Sequence, residues 1–243
     1  MRTALLSDVH GNEAALDAVL EDIQSNRVSA IVMLGDISYR GPKPSECLEK
    51  VRTHCDYVIK GNADEWAVRG IHAGEVPAEA IELMRAEQTF TAGHLSEDQR
   101  AYLHHLPSSL ELPLSNKRQL YAVHATPESL FTVIPKHAED EAFQAFGSAN
   151  PRADYYAYGH IHDPHYRRIN GKSIINTGSV GLPFDGSPEA SYVLLDRDDD
   201  VHVQFRRVPY DIDRAVQDLS DTGYPAEAVP LLRYIYENGS RPV

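Results

Sequence analysis

Tyr155-Tyr156-Ala157-Tyr158-Gly159-His160-Ile161-His162 sets an apolar, aromatic run directly before two histidines spaced two apart. Read as a strand that ends in a loop, the run places both imidazoles on the same side of its carboxyl end. Two neighbouring imidazoles suit a metal ion, although the pair alone is as readily two ordinary loop histidines. The pattern recurs. Asp8-Val9-His10, Gly35-Asp36, Gly61-Asn62 and Val123-His124 each close a similar apolar run.

Those runs organise the chain. Segments 3–6, 30–34 and 57–59 read as buried strands. Segments 13–23 and 44–51 between them read as helices, with Asn12 and Ser45 as N-caps. A βαβαβ order favours a parallel sheet with right-handed crossovers. From 64 to 110 the alternation stops. Helices are expected at 78–84 and 97–106, with turns near Gly70, Gly74 to Pro77 and Gly93. This helical insertion leaves the sheet after Asn62 and is placed to wall or cap a site at the strand ends.

Further strand signals fall at 120–123, 155–158, 173–175, 191–195 and 201–205, with a helix at 138–146. Short connections among the last three, including an acidic turn at 196–200, predict an antiparallel meander. Segment 211–237 reads as two helices interrupted at Gly223 and Pro225. The expectation for residues 1–243 is a single α/β domain without repeats or linkers.

Composition narrows the function. A formal net charge of −13 over 243 residues disfavours long nucleic acids and anionic membranes as partners. A phosphorylated substrate would have to be drawn by a concentrated local charge, for which bound divalent cations are suited. With no signal peptide or membrane span in the sequence, Cys47 and Cys55 are expected as reduced thiols in a cytoplasmic protein.

The polar residues at the strand ends form a set: Asp8, His10, Asp36, Asn62, His124, His160 and His162. Open α/β sheets bind ligands beyond the carboxyl ends of their strands. Seven oxygen and nitrogen donors exceed the needs of one ion and suit two ions that share a ligand.

In that order, Asp8-x-His10, Gly35-Asp36-x-x-x-Arg40-Gly41, Gly61-Asn62, His124 and Gly159-His160-x-His162 resemble the calcineurin-like metallophosphoesterases. Arg40-Gly41-Pro42-x-Pro44 and Asn176-Thr177-Gly178-Ser179-Val180-Gly181 resemble the compact bacterial branch of phosphodiesterases and symmetrical diadenosine tetraphosphate hydrolases. The resemblance covers residues 1–205. It implies a four-layer αββα sandwich, two mixed sheets flanked by helices. It also implies two metal ions, with Asp8, His10, Asp36 and His162 on the first and Asn62, His124 and His160 completing the second. Asp36 would bridge them, and a hydroxide bridging the two metals would attack phosphorus. Manganese or iron is the expected metal, with zinc or nickel as alternatives.

The resemblance assigns catalytic roles to Asp36, Asn62 and His124. Arg40 is the candidate substrate-binding cation beside Asn62, because its planar fork grips two phosphate oxygens at once. A solvated loop arginine or a partner for Glu46 is the alternative. One position departs from the family pattern: Ala63 stands where many relatives carry a histidine that assists the leaving group. Either a good leaving group dispenses with it, or Asp64, His72 or His94 replaces it, or the fold serves as a scaffold. Asn176 or Ser179 is expected either to orient a ligand histidine or to form an ordinary turn, and Trp66 either to stack on a nucleobase or to pack in the core. His54, His104, His105, His137, His165 and His202 read as surface or satisfied core residues.

The activity so implied is metal-dependent hydrolysis of a small phosphodiester or nucleotide-type substrate. A protein or phosphomonoester phosphatase is the alternative within the same chemistry, and a non-catalytic binding module the alternative outside it.

Overall fold

The computed structural model describes residues 1–115, 117–197 and 200–242. Its first strands and helices alternate: β1 (Arg2–Leu6), α1 (Glu13–Ser25), β2 (Ala30–Met33), α2 (Pro44–His54) and β3 (Tyr57–Val58). Three helices follow, α3 (Asn62–Arg69), α4 (Ile81–His94) and α5 (Glu97–His105), and then β4 (Ser109–Pro113) and β5 (Gln119–Val123). A 3₁₀ turn at Asp140–Phe143 leads into α6 (Gln144–Ala149), β6 (Tyr155–Tyr158), β7 (His165–Ile169) and β8 (Lys172–Asn176). The hairpin strands β9 (Ala190–Arg197) and β10 (Val201–Val208), with helices α7 (Ile212–Asp221) and α8 (Val229–Asn238), complete the described chain.

The strands make two mixed five-stranded sheets, ordered β10-β9-β1-β2-β3 and β4-β5-β6-β8-β7. β1, β2 and β3 run parallel, as do β5, β6 and β8, while β9, β10, β4 and β7 add antiparallel neighbours. Period-two alternation explains the layering. Leu5, Val193 and Leu195 point into the layer between the sheets with Leu120, Ala157 and Ile175, whereas Ala4, Leu6, Tyr192 and Leu194 face the helices that cover the first sheet. Tyr156 and Tyr158 send the other face of β6 against Phe143 and Phe146. Helices, sheet, sheet and helices therefore stack as the expected four-layer αββα sandwich. Among the described residues no helix is long and apolar enough to cross a membrane.

Local chemistry accounts for several ends. Asn12 caps α1, its side chain accepting from the Ala15 N–H. The Ser45 cap expected for α2 is not formed. That helix starts at Pro44 after Lys43, with no side-chain cap hydrogen bond, because the proline fixes its own φ at the first helical position. Gly93, read as a turn, lies inside α4. The expected helix at 138–146 divides into the 3₁₀ turn and α6.

The largest correction concerns the meander. β9 and β10 form an antiparallel pair, but β8 lies in the other sheet between β6 and β7. Its Ile174 and Ile175 serve the outer and inner layers respectively, and an apolar pair buried on both faces carries no mark of which sheet it joins. Residues 198 and 199 of the expected acidic turn lie outside the described residues.

Candidate metal centre

Asp8 and His10 follow β1, Asp36 follows β2, Asn62 opens α3, His124 follows β5, and His160 and His162 follow β6. All seven converge at the carboxyl ends of strands from both sheets. Their donor atoms gather into two groups, one of Asp8, His10, Asp36 and His162 and one of Asp36, His124 and His160, with the atoms of each within 4.8 Å of one another. Asn62 joins the second group, its Oδ1 lying 2.9 Å from His124 Nε2. Asp36 is common to both: its Oδ2 is 3.3 Å from His124 Nε2 and 3.7 Å from His10 Nε2.

The backbone is strained where these side chains leave it. Asp8, His10, Asp36, His160 and His162 all have φ between 49° and 67°, and Arg40 has φ 74°. Each such non-glycine conformation costs about 1–3 kcal/mol and persists only where the surrounding fold enforces it. Turning the chain sharply after each strand lets residues two apart, His160 and His162, reach different donor groups. His162 thus joins the group of Asp8, His10 and Asp36, and His160 the group of Asp36 and His124.

Hydrogen bonds set which ring nitrogen faces the cluster. Nδ1 of His10 donates to the Tyr39 carbonyl, Nδ1 of His124 to the Leu34 carbonyl and Nδ1 of His162 to the Leu182 carbonyl. A carbonyl can only accept, so each Nδ1 carries a proton and each Nε2 is turned inward. Ser179 takes part indirectly, its Oγ accepting the Leu182 N–H and donating to the Asp8 carbonyl. Asn176 donates to the Gly159 carbonyl and accepts from Gly178, which steadies the turn before His160.

The polar atoms left over fit cations. His10 Nε2 and His162 Nε2 face each other at 3.2 Å, an arrangement that requires a proton or a cation between two lone pairs. Asp8 Oδ2 accepts from the Ser7 hydroxyl and from the His160 N–H, while Asp8 Oδ1 and His160 Nε2 are buried with no hydrogen-bond partner among the described residues. Burial opposes charge on His124, but the adjacent Asp36 carboxylate prevails and pushes its pKa up to about 9. Burial and the neighbouring His124 charge push His160 down to about 4. His10 is raised against its burial by Asp8 and Asp36, and His162 is lowered mainly by burial. The proton on His124 thus offsets the carboxylates of Asp8 and Asp36, whose own pKa values are lowered, against burial, by the histidines. Carboxylate oxygens and inward-turned imidazole nitrogens are the donors that divalent cations take, so the donor set and its charge fit metal binding.

Beside the centre lies a cavity whose lining includes the polar His10, Asp36, Asn62, His160 and His162 and the largely apolar Trp66, Val76, Pro77, Met84, Phe131 and Val133. Trp66, Val76, Pro77 and Met84 of the 64–110 segment contribute to this lining. Trp66 is 7% exposed, packs edge-on to Tyr39 and donates from its indole N–H to Glu75, which favours its core reading over base stacking. Arg40 lines the cavity but does not pair with Glu46. Its Nε lies 3.4 Å from Oε2 of Glu87, a fully buried carboxylate on α4 that also accepts from the Tyr224 hydroxyl. The sequence reading missed Glu87, because its partner stands on a distant loop.

None of the candidates to replace a histidine at Ala63 reaches the reaction side. Asp64 is fully buried beneath the site and accepts the backbone N–H groups of Asp36, Ile37 and Gly61. His72 and His94 are exposed and do not line the cavity. His54, His104, His105, His137 and His202 are also exposed, while His165 is half-buried against Tyr158. Cys47 and Cys55 are unpaired thiols.

Comparison with known proteins agrees with this geometry. A metallophosphoesterase from Sphaerobacter thermophilus superposes with a TM-score of 0.77 at 30% identity, over 96% of this chain and 98% of that one. An uncharacterised protein of Methanocaldococcus jannaschii is 29% identical over 91% of this chain and 93% of its own length. The phosphodiesterase YfcE of Escherichia coli is 24% identical over 82% of this chain and 89% of its own. The model of the calcineurin-like phosphoesterase superfamily domain matches residues 1–200. With that match over most of its length, the chain belongs to the calcineurin-like phosphoesterase superfamily.

Proposed function

We propose that the chain is a dinuclear metal-dependent phosphoesterase that hydrolyses a small phosphodiester or nucleotide-type substrate. The observation that carries this reading is the position of Asp36 Oδ2 between two donor groups, 3.3 Å from His124 Nε2 and 3.7 Å from His10 Nε2. Asp8, His10, Asp36 and His162 would hold one cation, and Asp36, Asn62, His124 and His160 the other. Bound there, two divalent cations supply Lewis acidity to the phosphoryl oxygens and make water acidic enough to act as a nucleophile near neutral pH.

The chain's own residues would do the rest. The Nδ1–carbonyl bonds hold three imidazoles in a fixed tautomer and orientation, so no reorganisation is needed as charge develops. Asn62 supplies a neutral oxygen that keeps the centre from accumulating negative charge. Arg40, oriented by Glu87, would grip phosphate oxygens in the cavity. Phe131, Val133 and Val76 offer an apolar wall for the organic part of the substrate. The likeness to a protein known as a phosphodiesterase supports a diester over a phosphoprotein.

The test is turnover of bis-p-nitrophenyl phosphate, p-nitrophenyl phosphate and diadenosine tetraphosphate by manganese-loaded protein, beside Asp36→Ala. Activity lost in the variant supports the shared-carboxylate centre, and the preferred compound separates diesterase from monoesterase. Metal bound without turnover on any of the three would overturn the enzymatic reading in favour of a binding module.

A further inference from the structure

The end of the described chain returns to the site. After α8, Gly239 adopts φ 63°, and its carbonyl accepts the Gly186 N–H at 2.8 Å. A Cβ at this position would overlap the Ser187 backbone, so only glycine lets the tail lie so close to the 184–188 loop. Two residues on, the Arg241 guanidinium stacks over the Phe184 ring at 4.2 Å. Phe184 in turn lies nearly parallel to the His162 ring, 4.4 Å between centroids and 12° between planes. Arg241 is thereby fixed at the mouth of the cavity that holds the candidate metal centre.

Its charge meets no carboxylate partner among the described residues. Arg40, the other arginine lining the cavity, faces buried Glu87. Arg241 forms no ion pair with a carboxylate among the described residues, and burial together with the Arg40 charge lowers its pKa. What sets Arg241 apart is that it lines the same cavity as a second guanidinium, in a chain with a formal net charge of −13. Two like charges at one mouth repel, and an anion lying between them removes that repulsion while gaining charge-assisted hydrogen bonds from both forks.

We propose that Arg241 is a substrate-binding residue that takes a second phosphate, beyond the one cleaved, so that the site favours small molecules carrying a polyphosphate chain over simple diesters. The contact with Phe184 holds the exposed guanidinium beside the cavity, where its N–H groups are available to phosphate oxygens. The inference rests on the phosphoesterase reading for its identification of the anion as substrate.

The test compares wild type, Arg241→Ala and Arg241→Lys in the manganese-loaded protein. Calorimetry would measure binding of tripolyphosphate and of orthophosphate, and kinetics would follow diadenosine tetraphosphate and bis-p-nitrophenyl phosphate. Arg241→Ala is expected to weaken tripolyphosphate binding about tenfold, the size of one lost charge-assisted contact, and to leave orthophosphate unchanged. The KM for diadenosine tetraphosphate should rise by the same factor with kcat preserved, while bis-p-nitrophenyl phosphate shows no change. Arg241→Lys should recover part of the loss, since it keeps the charge without the fork. Equal weakening of both anions, or of neither, would overturn the proposal. Tripolyphosphate binding that depends on Arg241, in a protein that turns over neither substrate, would instead overturn the phosphoesterase reading and leave the anion site in place.

Discussion

Asp64 accepts the backbone N–H of Asp36 at 2.8 Å, so the carboxylate common to both donor groups is carried on a backbone that a second, deeper carboxylate holds. The same oxygen accepts from Gly61 at 2.9 Å, and the other accepts from Ile37 at 2.9 Å. Burial and the nearby Asp36 charge push the Asp64 pKa up to about 6, so the three-fold acceptor is complete only above that pH. Asp64→Asn fixes an amide N–H₂ where one acceptor stood and imitates the acid form. It should destabilise the protein by about 1–3 kcal/mol, the cost of a buried donor left facing donors, and lower its metal content. Urea unfolding and metal analysis would check this, and wild-type values in both would exclude a supporting role for Asp64.

Glu87 and Arg40 allow a different separation. Glu87 is fully buried on α4, and its Oε1 accepts from Tyr224 while Oε2 faces Arg40. Glu87→Gln keeps the shape but leaves the half-buried Arg40 guanidinium without its counter-charge, so a stability loss of about 1–3 kcal/mol is expected. Tyr224→Phe removes only one hydrogen bond to the same carboxylate and should cost about 1–3 kcal/mol. If Glu87 orients Arg40 for phosphate, Glu87→Gln should also raise KM for phosphoesters while Tyr224→Phe leaves it unchanged. A Glu87→Gln protein with unaltered KM would confine the pair to stability.

Metal binding should expel protons. In the metal-free protein His124 carries a proton up to a pKa of about 9, donating from Nδ1 to Leu34 and from Nε2 to Asn62. Because this folded-state value lies above the ordinary 6.5, the protonated ring stabilises the metal-free fold below pH 6.5. That contribution is lost as pH rises toward 9. A cation needs the Nε2 lone pair, so binding at neutral pH must displace the proton, and affinity should climb with pH until about 9 and level off above it. Calorimetric titration with manganese in buffers of different ionisation enthalpy would count the released protons. A proton count of zero at pH 7.5 would remove His124 from the ligand set.

The donors at the strand ends were legible because each signal is local. An apolar run followed by Asp8, Asp36, His124 or His160 states both the strand and what stands at its carboxyl end. What depends on distant packing was not. Glu87 reads as one more acidic residue on a helix, and Arg241 as a polar tail, until the fold sets Glu87 against Arg40 and brings Arg241 to the cavity that Arg40 lines. The strands Ser109–Pro113 and His165–Ile169 also escaped notice, since each is a short edge strand that buries little of its length. Gly93 misled in the opposite direction. It lies on the exposed side of α4, where the surrounding helix outweighs its weak intrinsic propensity.

Ala63 gives the last expectation, which concerns the leaving group. It lines the cavity at 1% exposure and donates its N–H to Asp36 Oδ1 at 2.7 Å, so it occupies the position of the missing histidine without any proton to give a departing oxygen. The other titratable residues lining the cavity serve no better. Glu75 is held ionised by Arg69, with a pKa of about 2, and the Tyr39 hydroxyl is spent on the Met84 carbonyl. His10, His160 and His162 belong to the donor groups. Without a general acid, the leaving oxygen must carry its developing charge unaided, so the rate should depend steeply on its basicity. General-acid catalysis is worth about 10²–10⁴-fold, and alkyl phosphodiesters should lag behind aryl or phosphate leaving groups by that order. A series of substituted aryl and alkyl diesters would give the slope of rate against leaving-group pKa. A shallow slope would mean that a proton donor enters the site, and Asp64, with its pKa raised to about 6 but fully buried and outside the cavity lining, would be that donor only through a rearrangement of α3.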